Sequence, residues 1–495
     1  MEEPMYILSI DQSTAGTKAI LFTAEGKLIS RTDLPHRQIT NDKGWVEHDP
    51  VEIYQNTIKA CKKVVEESKL DKCLIKAVGI SNQRETAVCW NKATGEPVYN
   101  AIVWQCGRAV DITEEIRKAG KEEQVRRVTG LNLSPFFSAP KFSWIVRNVP
   151  KANELLQEDQ LYCGNIDAWL LYQLTGGKEF KTDYSNASRT ELLNLDTLQW
   201  DSDMIELFHL RESALPEICY SDSIFGYTTL EGLFDTPIPI HAMMGDSHAA
   251  LYANGCHSSF TAKATFGTGT SVMMNAGFER PKATSNGVVE SLAWGINETV
   301  SYSLEGNINY SGAIIKWLIE DIKLIANAKE SEEIAASTES TNGVYLVPAF
   351  SGLGAPYWNN EARAILCGMS ASTKKEHIVR AALEAIAYQI KDIVEELNTC
   401  CQNPLHKLSV DGGATKNQLL MQFVADLLNV DLAVSKTEEL SAAGVAYLAA
   451  IASGCTTTEA IFARDLHTSM KPLMGAEQRE KNYEGWKNAV NLLLK

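Results

Sequence analysis

The segment YILSIDQSTAGTKAILF, Tyr6 to Phe22, decides the fold class. Tyr6 to Ile10 reads as a buried strand, Asp11 to Lys18 as a turn of small and hydroxylated residues, and Ala19 to Phe22 as the returning strand. Glu25-Gly26 then turns the chain into a third strand. This is a hairpin or meander, not the strand–helix opening of a dinucleotide-binding unit. The pattern returns in AKATFGTGTSVMMNAG, Ala262 to Gly277. Two such hairpins, one opening each half, fit an internal duplication or two unrelated hairpins.

Around them, Val51 to Ser68 and Ala152 to Gln157 read as helices, and Thr373-Lys374-Lys375-Glu376 as a capping box opening a helix from His377 to Leu397. Leu74 to Asn82 and Lys407 to Gly413 read as strands, so the class is α/β. Ala328 to Thr341, rich in Glu, Ser and Thr, is expected to be a loop. The expected division is residues 1–256 and 257–495, with a short hinge near Cys256 to Thr265.

The 495 residues carry 46 Lys+Arg against 62 Asp+Glu, a formal charge of −16. That length suits two to four domains at about 150 residues each. A composition of 45% hydrophobic and 22% charged residues excludes a disordered chain. The acidity argues against a nucleic-acid binder, though backbone amides can hold phosphate without a basic surface. MEEPMYILSI is acidic where a secretory signal is basic, and no apolar run reaches the ~18–20 residues of a membrane span. The 11 cysteines are scattered, without zinc-ligand spacing, and Cys400–Cys401 are simply adjacent. A cytoplasmic protein with buried thiols is expected.

In Asp11-Gln12-Ser13-Thr14-Ala15-Gly16-Thr17-Lys18, an acid at a strand end precedes hydroxyls, a glycine and a lysine. Such a turn suits a polyphosphate with hydrated Mg²⁺, or is an ordinary hairpin. Gly267-Thr268-Gly269-Thr270 offers a second set of donors, and neither turn is GxxxxGK[ST] before a helix. Val410-Asp411-Gly412-Gly413-Ala414 joins a strand to a helix (Leu419 to Leu428), where a nucleoside can lie against bare backbone or the chain can simply turn. Asp246, in MMGDSHAALYANG, follows a strand (Ile238 to Met244) and opens an Ala-rich helix. It suits a base for an attacking hydroxyl, or a helix cap; His248 reads as packed or surface. Arg84-Glu85 and Trp104, each at a strand end, can grip hydroxyls and line carbon, or form an ion pair and a core indole. Gly44 to Pro50 is an active-site edge or a loop.

Together these segments resemble the FGGY carbohydrate kinases, and within them the glycerol-kinase branch. The likeness runs through IDQSTAGTKAILF, GISNQRETAVCW, TDYSNASRT, GTGTSVMMN, LEGNINYSGAIIKWL and VDGGATKNQLLMQF. Phe136 to Asn148 and Ala364 to Ala385 fit the patterns of the wider family. The resemblance implies two actin-like (ribonuclease H-like) α/β domains flanking a cleft, with ATP and Mg²⁺ against the second and a small polyol or sugar against the first. It implies phosphate binding by Asp11, Gln12, Ser13, Thr14, Lys18, Gly267, Thr268 and Gly269. Gly412, Gly413 and Asn417 fall on the adenosine motif, with Gly312 and Lys316 near the base. Asp246 matches the catalytic base and, with Asp11, the carboxylates expected near Mg²⁺. Arg84, Glu85 and Trp104 match the acceptor site.

Three positions depart from the branch: Phe136 stands where Tyr is usual, Ser247 where Gln is, and Ser271 where Phe is. Their smaller or less polar groups suggest a larger pocket for a four- or five-carbon polyol or ketose. Gly107-Arg108 and SAPK (Ser138 to Lys141) lean toward the xylulose-kinase pattern. A true glycerol kinase, a xylulose kinase, an actin- or chaperone-like ATPase and a sugar-sensing pseudokinase are the alternatives, Ala15 standing where a second hydroxyl is common. A homodimer or homotetramer is expected, without nucleic acid or membrane partners. Of the many carboxylates, only Asp11, Glu85 and Asp246 are expected in the site.

Overall fold

The computed structural model describes residues 4–281, 287–359, 361–400 and 404–494. The acidic Met1 to Glu3 and Cys401 lie outside them. Two sheets carry the architecture. The first contains β1 (Tyr6–Gln12), β2 (Gly16–Thr23), β3 (Leu28–Pro35), β4 (Ile75–Asn82), β5 (Gly226–Thr228) and β6 (Ile238–Gly245), in the order β3-β2-β1-β4-β6-β5. The second contains β7 (Thr261–Phe266), β8 (Thr270–Gly277), β9 (Val289–Ile296), β10 (Thr299–Ile308), β11 (Lys407–Gly412), β12 (Asp431–Ser435) and β13 (His467–Met470), in the order β9-β10-β8-β7-β11-β12-β13.

Leaving out the edge strand β9, the two sheets have one plan. Two antiparallel pairings lead to a central strand, β1 or β7. Two parallel strands follow, then an antiparallel edge. Five strands paired identically in chain order support duplication over two unrelated hairpins; the edge strand precedes its neighbour in the first sheet and follows it in the second.

Strand β1 shows why the opening segment folds as it does. Successive side chains point to opposite faces, so Leu8 and Ile10 enter one core while Ile7 enters another. Both faces are covered, which accounts for a nearly unbroken apolar run. On one side lies α1 (Pro50–Ser68), capped by Asp49, which accepts from the backbone N–H of Val51 and Glu52. On the other lies a helix from the far half of the chain. There α2 (Asp246–Ala253) and, after α3 (Lys375–Thr399) and α4 (Gln418–Leu428), α5 (Leu440–Ala452) pack together. The Ser9 hydroxyl donates to the Ala442 carbonyl at 2.8 Å, tying β1 to α5. Among the described residues no helix is long and apolar enough to cross a membrane.

Three local expectations are corrected. Ala328–Ala336 is a helix, because Asn327 caps it by accepting from the Glu330 N–H at 3.1 Å. Thr373 and Glu376 do not form the capping box. The Thr373 hydroxyl accepts from Ser370 N–H instead, and the Lys374 N–H donates to His377 Nδ1 at 3.1 Å. Trp104 lies beyond its short strand, which ends at Ile102.

Helix α5 approaches α2 so closely that a Cβ on Gly444 would lie 2.0 Å from the Ala249 carbonyl oxygen. Gly444→Ala must therefore push the helices apart, a strain of about 1–3 kcal/mol. Urea denaturation should show that loss, with a matching loss of whatever chemistry depends on Asp246 at the start of α2.

Candidate active site

The carboxyl ends of the parallel strands in both sheets face a common region, where α/β folds place their ligands. Two cavities occupy it. One, of about 870 Å³, is lined by Phe266, Gly267, Thr268, Gly312, Ile315, Lys316, Leu383, Gly413, Ala414 and Asn417. The other, of about 790 Å³, is lined by Asp11, Lys18, Asp246, Ser247, Lys263, Asp411, Gly412, Gly413 and Glu439. They share Gly413 and Lys416 and so form one cleft.

The first cavity has apolar walls and a glycine rim. Gly412 has φ +97°, and a Cβ there would sit 2.2 Å from the Phe266 carbonyl oxygen. A Cβ on Gly269 would meet the Ile308 carbonyl oxygen at 2.3 Å. These two glycines let the second hairpin lie against its neighbours. Asn417 caps α4, its side-chain oxygen accepting from the Leu420 N–H at 2.9 Å. Lys316 lies at the rim and pairs with Glu320 at 3.6 Å.

In the second cavity Lys18 Nζ lies 3.4 Å from Asp11 Oδ2 and 2.5 Å from Glu439 Oε2. Burial pushes the Asp11 carboxyl up to about 6, Lys18 opposes that shift, and the charge of Asp246 adds to it. Asp11 Oδ1 is buried without a hydrogen-bond partner. A buried carboxylate whose proton affinity is raised by a second one beside it, and which has an unpartnered oxygen, fits a divalent cation. Among the described residues no cluster of three or more His, Cys, Asp or Glu forms a cage. Magnesium here needs phosphate oxygens and water to complete its shell.

Gln12 and Ser13 do not present side chains to the cleft. Gln12 is fully buried, with its amide donating to the Ser13 carbonyl and its oxygen accepting from Gln83. The Ser13 hydroxyl donates to the Gly16 carbonyl at 3.0 Å. Thr14 accepts the Trp104 indole N–H at 2.9 Å, joining the first hairpin to the Trp104 ring.

Behind Asp246 lies a buried charged cluster. Arg84 Nε is 3.2 Å from Asp246 Oδ1, which also accepts from the Ser247 N–H at 2.6 Å. Arg84 Nη1 and Nη2 donate to the two oxygens of Glu305 at 3.1 and 3.0 Å, and Nη2 also reaches the Ser247 hydroxyl at 3.2 Å. Glu305 further accepts from the Ser271 hydroxyl at 2.9 Å and pairs with Arg189 Nη1 at 3.0 Å. Arg189 Nε donates to Glu85 Oε1 at 2.6 Å. Burial opposes ionisation of Glu305, but Arg84 and Arg189 hold its carboxyl well below the usual range. Trp104 meets Phe136 edge-on at 5.5 Å.

Thus Arg84, Glu85, Asp246, Ser247 and Ser271 are gathered in one network through Glu305 and Arg189, while Trp104 and Phe136 form an aromatic pair tied to the first hairpin at Thr14. His248 is packed, fully buried and held neutral by burial and by Arg84. One expectation changes. The site carboxylates include Glu305, Asp411 and Glu439, beyond Asp11, Glu85 and Asp246. Arg108 is buried, its guanidinium 2.5 Å from Glu47 and stacked on Trp45, so its charge is engaged by Glu47. Sequence reasoning missed Arg189 and Glu305, both inside quoted segments. The available signal was Glu305 itself, a charge in the otherwise uncharged strand TVSYSLEGNI.

The family model for the FGGY carbohydrate kinase N-terminal domain matches residues 6–253, and that for the C-terminal domain matches residues 262–453. Glycerol kinase 1 of Thermotoga maritima is 47% identical over 99% of this chain and 100% of its own. The crystal structure of Plasmodium falciparum glycerol kinase with ADP superposes with a TM-score of 0.94 at 35% identity, covering 100% of both chains. A ligand-bound xylulose kinase from Lactobacillus acidophilus reaches a TM-score of 0.86 over 97% of this chain and 96% of its own, but only 22% identity, which is a likeness of fold alone. With both family models matched in order across the two duplicated sheets, the chain belongs to the FGGY family of carbohydrate kinases, ATP- and Mg²⁺-dependent phosphotransferases acting on small sugars and polyols.

Proposed function

We propose that this kinase transfers the γ-phosphoryl group of ATP to a terminal hydroxyl of glycerol, making glycerol 3-phosphate, as a cytoplasmic enzyme. The observation that carries the reading is Asp246. Its Oδ1 takes both Arg84 Nε and the Ser247 N–H, its carboxylate lines the cleft, and Arg84 connects it through Glu305 and Arg189 to Glu85. The full-length relatives named as glycerol kinases favour this acceptor over the xylulose-like reading.

The adenosine lies in the apolar cavity of Gly312, Gly413 and Asn417, with Lys316 at its rim, and the phosphates run toward the two hairpins. Asp11 and Asp246 are the carboxylates that would hold Mg²⁺, which when bound neutralises phosphate charge. Lys18 exchanges its carboxylate partners for phosphate oxygens, and the Thr268 and Gly269 turn donates to the equatorial oxygens of the transferring group. Arg84 and Glu85 hold vicinal hydroxyls while Trp104 and Phe136 cover the carbon chain. Asp246 takes the proton of the terminal hydroxyl as its oxygen attacks phosphorus in line. Positioning supplies most of the catalysis.

A second acceptor, a four- or five-carbon polyol or ketose, is favoured by one feature. Ser247 and Ser271 are small, and their hydroxyls add polarity beside Arg84 and Glu305.

Asp246→Asn should lower kcat by about 10²–10⁴-fold, the usual worth of a general base, while ATP binding by calorimetry stays near wild type. Full turnover in a coupled ADP-release assay would remove Asp246 from the role. Across three- to six-carbon polyols and ketoses, glycerol should give the highest kcat/KM. A four- or five-carbon compound at the top would transfer the assignment to the second acceptor. ADP release without any acceptor would mark an ATPase, and none under any condition a sensor.

A further inference from the structure

Glu305 has no role in the phosphoryl transfer just described, yet its charged partners are Arg84, assigned to the acceptor, and Arg189, which holds Glu85. It sits in β10 opposite Met273 of β8 and Val289 of β9, with its side chain fully buried. A carboxylate placed there is costly unless paired and hydrogen-bonded throughout. Its hydrogen-bond donors are the two Nη atoms of Arg84 and the Ser271 hydroxyl, and Arg189 Nη1 forms an ion pair with it at 3.0 Å.

The geometry has a specific consequence for Arg84. A guanidinium is a rigid planar fork, and Glu305 occupies its two Nη positions in bidentate fashion. The fork can then no longer rotate about its own axis. Its Nε edge is directed at Asp246, 3.2 Å away. Arg189 uses the same carboxylate as an anchor while its Nε holds Glu85 at 2.6 Å. One buried carboxylate from the second half of the chain thereby aims both members of the Arg84-Glu85 pair contributed by the first half. Ser271 binds the same Glu305 oxygen as Arg84 Nη2 and shares in that aim.

We infer that Glu305 is the positioning residue of the acceptor site, with Ser271 as its adjuster, an inference that rests on the polyol-kinase reading above. It holds Arg84 so that the Nε edge and Asp246 together receive the reacting hydroxyl. Neutralising it frees the guanidinium to turn away from the orientation that directs its Nε edge at Asp246, which misaligns the acceptor. The nucleotide cavity does not involve Glu305 and is unaffected.

The test is steady-state kinetics of wild type, Glu305→Gln and Ser271→Ala with glycerol and the best four-carbon polyol, alongside calorimetric ADP binding and thermal melting. Glu305→Gln keeps shape and loses charge. It should raise the acceptor KM by about tenfold or more, as expected for losing charge-assisted bonds, and lower kcat, while KM for ATP and ADP affinity stay near wild type. Ser271→Ala should raise the acceptor KM by severalfold with the same ATP parameters. Glu305→Asp, which keeps the charge on a shorter arm, should recover part of the loss. A lowered melting temperature with both KM values unchanged would mean that Glu305 only supports the fold, and overturns the inference. Should Glu305→Gln fail to fold, Ser271→Ala decides, and an unchanged acceptor KM there is equally fatal. A wild-type enzyme that phosphorylates no polyol overturns the kinase reading and this inference together; an active wild type with indifferent variants overturns the inference alone.

Discussion

The buried pairing of Arg84 with Glu305 is the constraint around which the site is organised. Neither charge is tolerable in the interior by itself, and removing one partner of such a pair typically costs about 3–5 kcal/mol. The arginine follows β4 of the first sheet and the glutamate lies in β10 of the second, so the bidentate pair joins the two halves, and Asp246 adds a counter-charge to Arg84 from its own half. Arg189 and Ser271 complete the set, one from each half. A site whose parts are in register only when the halves meet is suited to chemistry that must bring an acceptor to a nucleotide and keep water away.

The duplication makes the two halves comparable position by position. In the first, β6 leads into α2, and its first residue is Asp246. In the second, β12 leads toward α5, and the residue before that helix is Glu439, at φ +55°. The same junction thus delivers a carboxylate twice. Asp246 faces the acceptor cluster through Arg84, while Glu439 is spent on Lys18 and Arg31. The two helices that carry them touch at Gly444, where only a bare backbone fits. One topology has supplied two acidic ends and local pairing has given them different work.

Much of the fold was legible in the sequence because it rests on short-range signals. The alternation in Tyr6 to Phe22, the glycines at Gly267, Gly269 and Gly412, and the apolar run into Asp246 each report on their own neighbourhood. The helix at Ala328–Ala336 was not legible, since its composition is that of a loop and its evidence is a single cap from Asn327. The false capping box at Thr373 shows the converse, a motif of the right letters whose hydroxyl found a nearer donor in Ser370. Glu305 and Arg189 were hidden for a different reason. Their meaning lies in pairings across 221 and 116 positions of chain (305 − 84 and 305 − 189), and no local pattern encodes those distances. Gln12 was placed in the site by its neighbours in sequence, although β-strand alternation turns it inward.

The acidity of the chain does not extend into the site itself. Around the cleft and its adjoining cluster Lys18, Lys263, Lys316, Lys329, Lys416, Lys436, Arg84 and Arg189 stand against as many carboxylates, Asp11, Glu85, Asp246, Glu305, Glu332, Asp411, Glu438 and Glu439. A bare polyphosphate entering this cleft meets no net positive charge, so the summed field cannot be what holds it. In the proposed function, what remains is the arrangement of backbone amides in two glycine hairpins, an apolar recess suited to the adenosine, and a cation that would arrive with the nucleotide and offset Asp11 and Asp246. On that proposal, the two carboxylates that repel the bare phosphates are the ones that would accept the magnesium complex. The acidic balance is therefore consistent with an ATP enzyme because the protein leaves part of the positive charge to be brought in by the substrate.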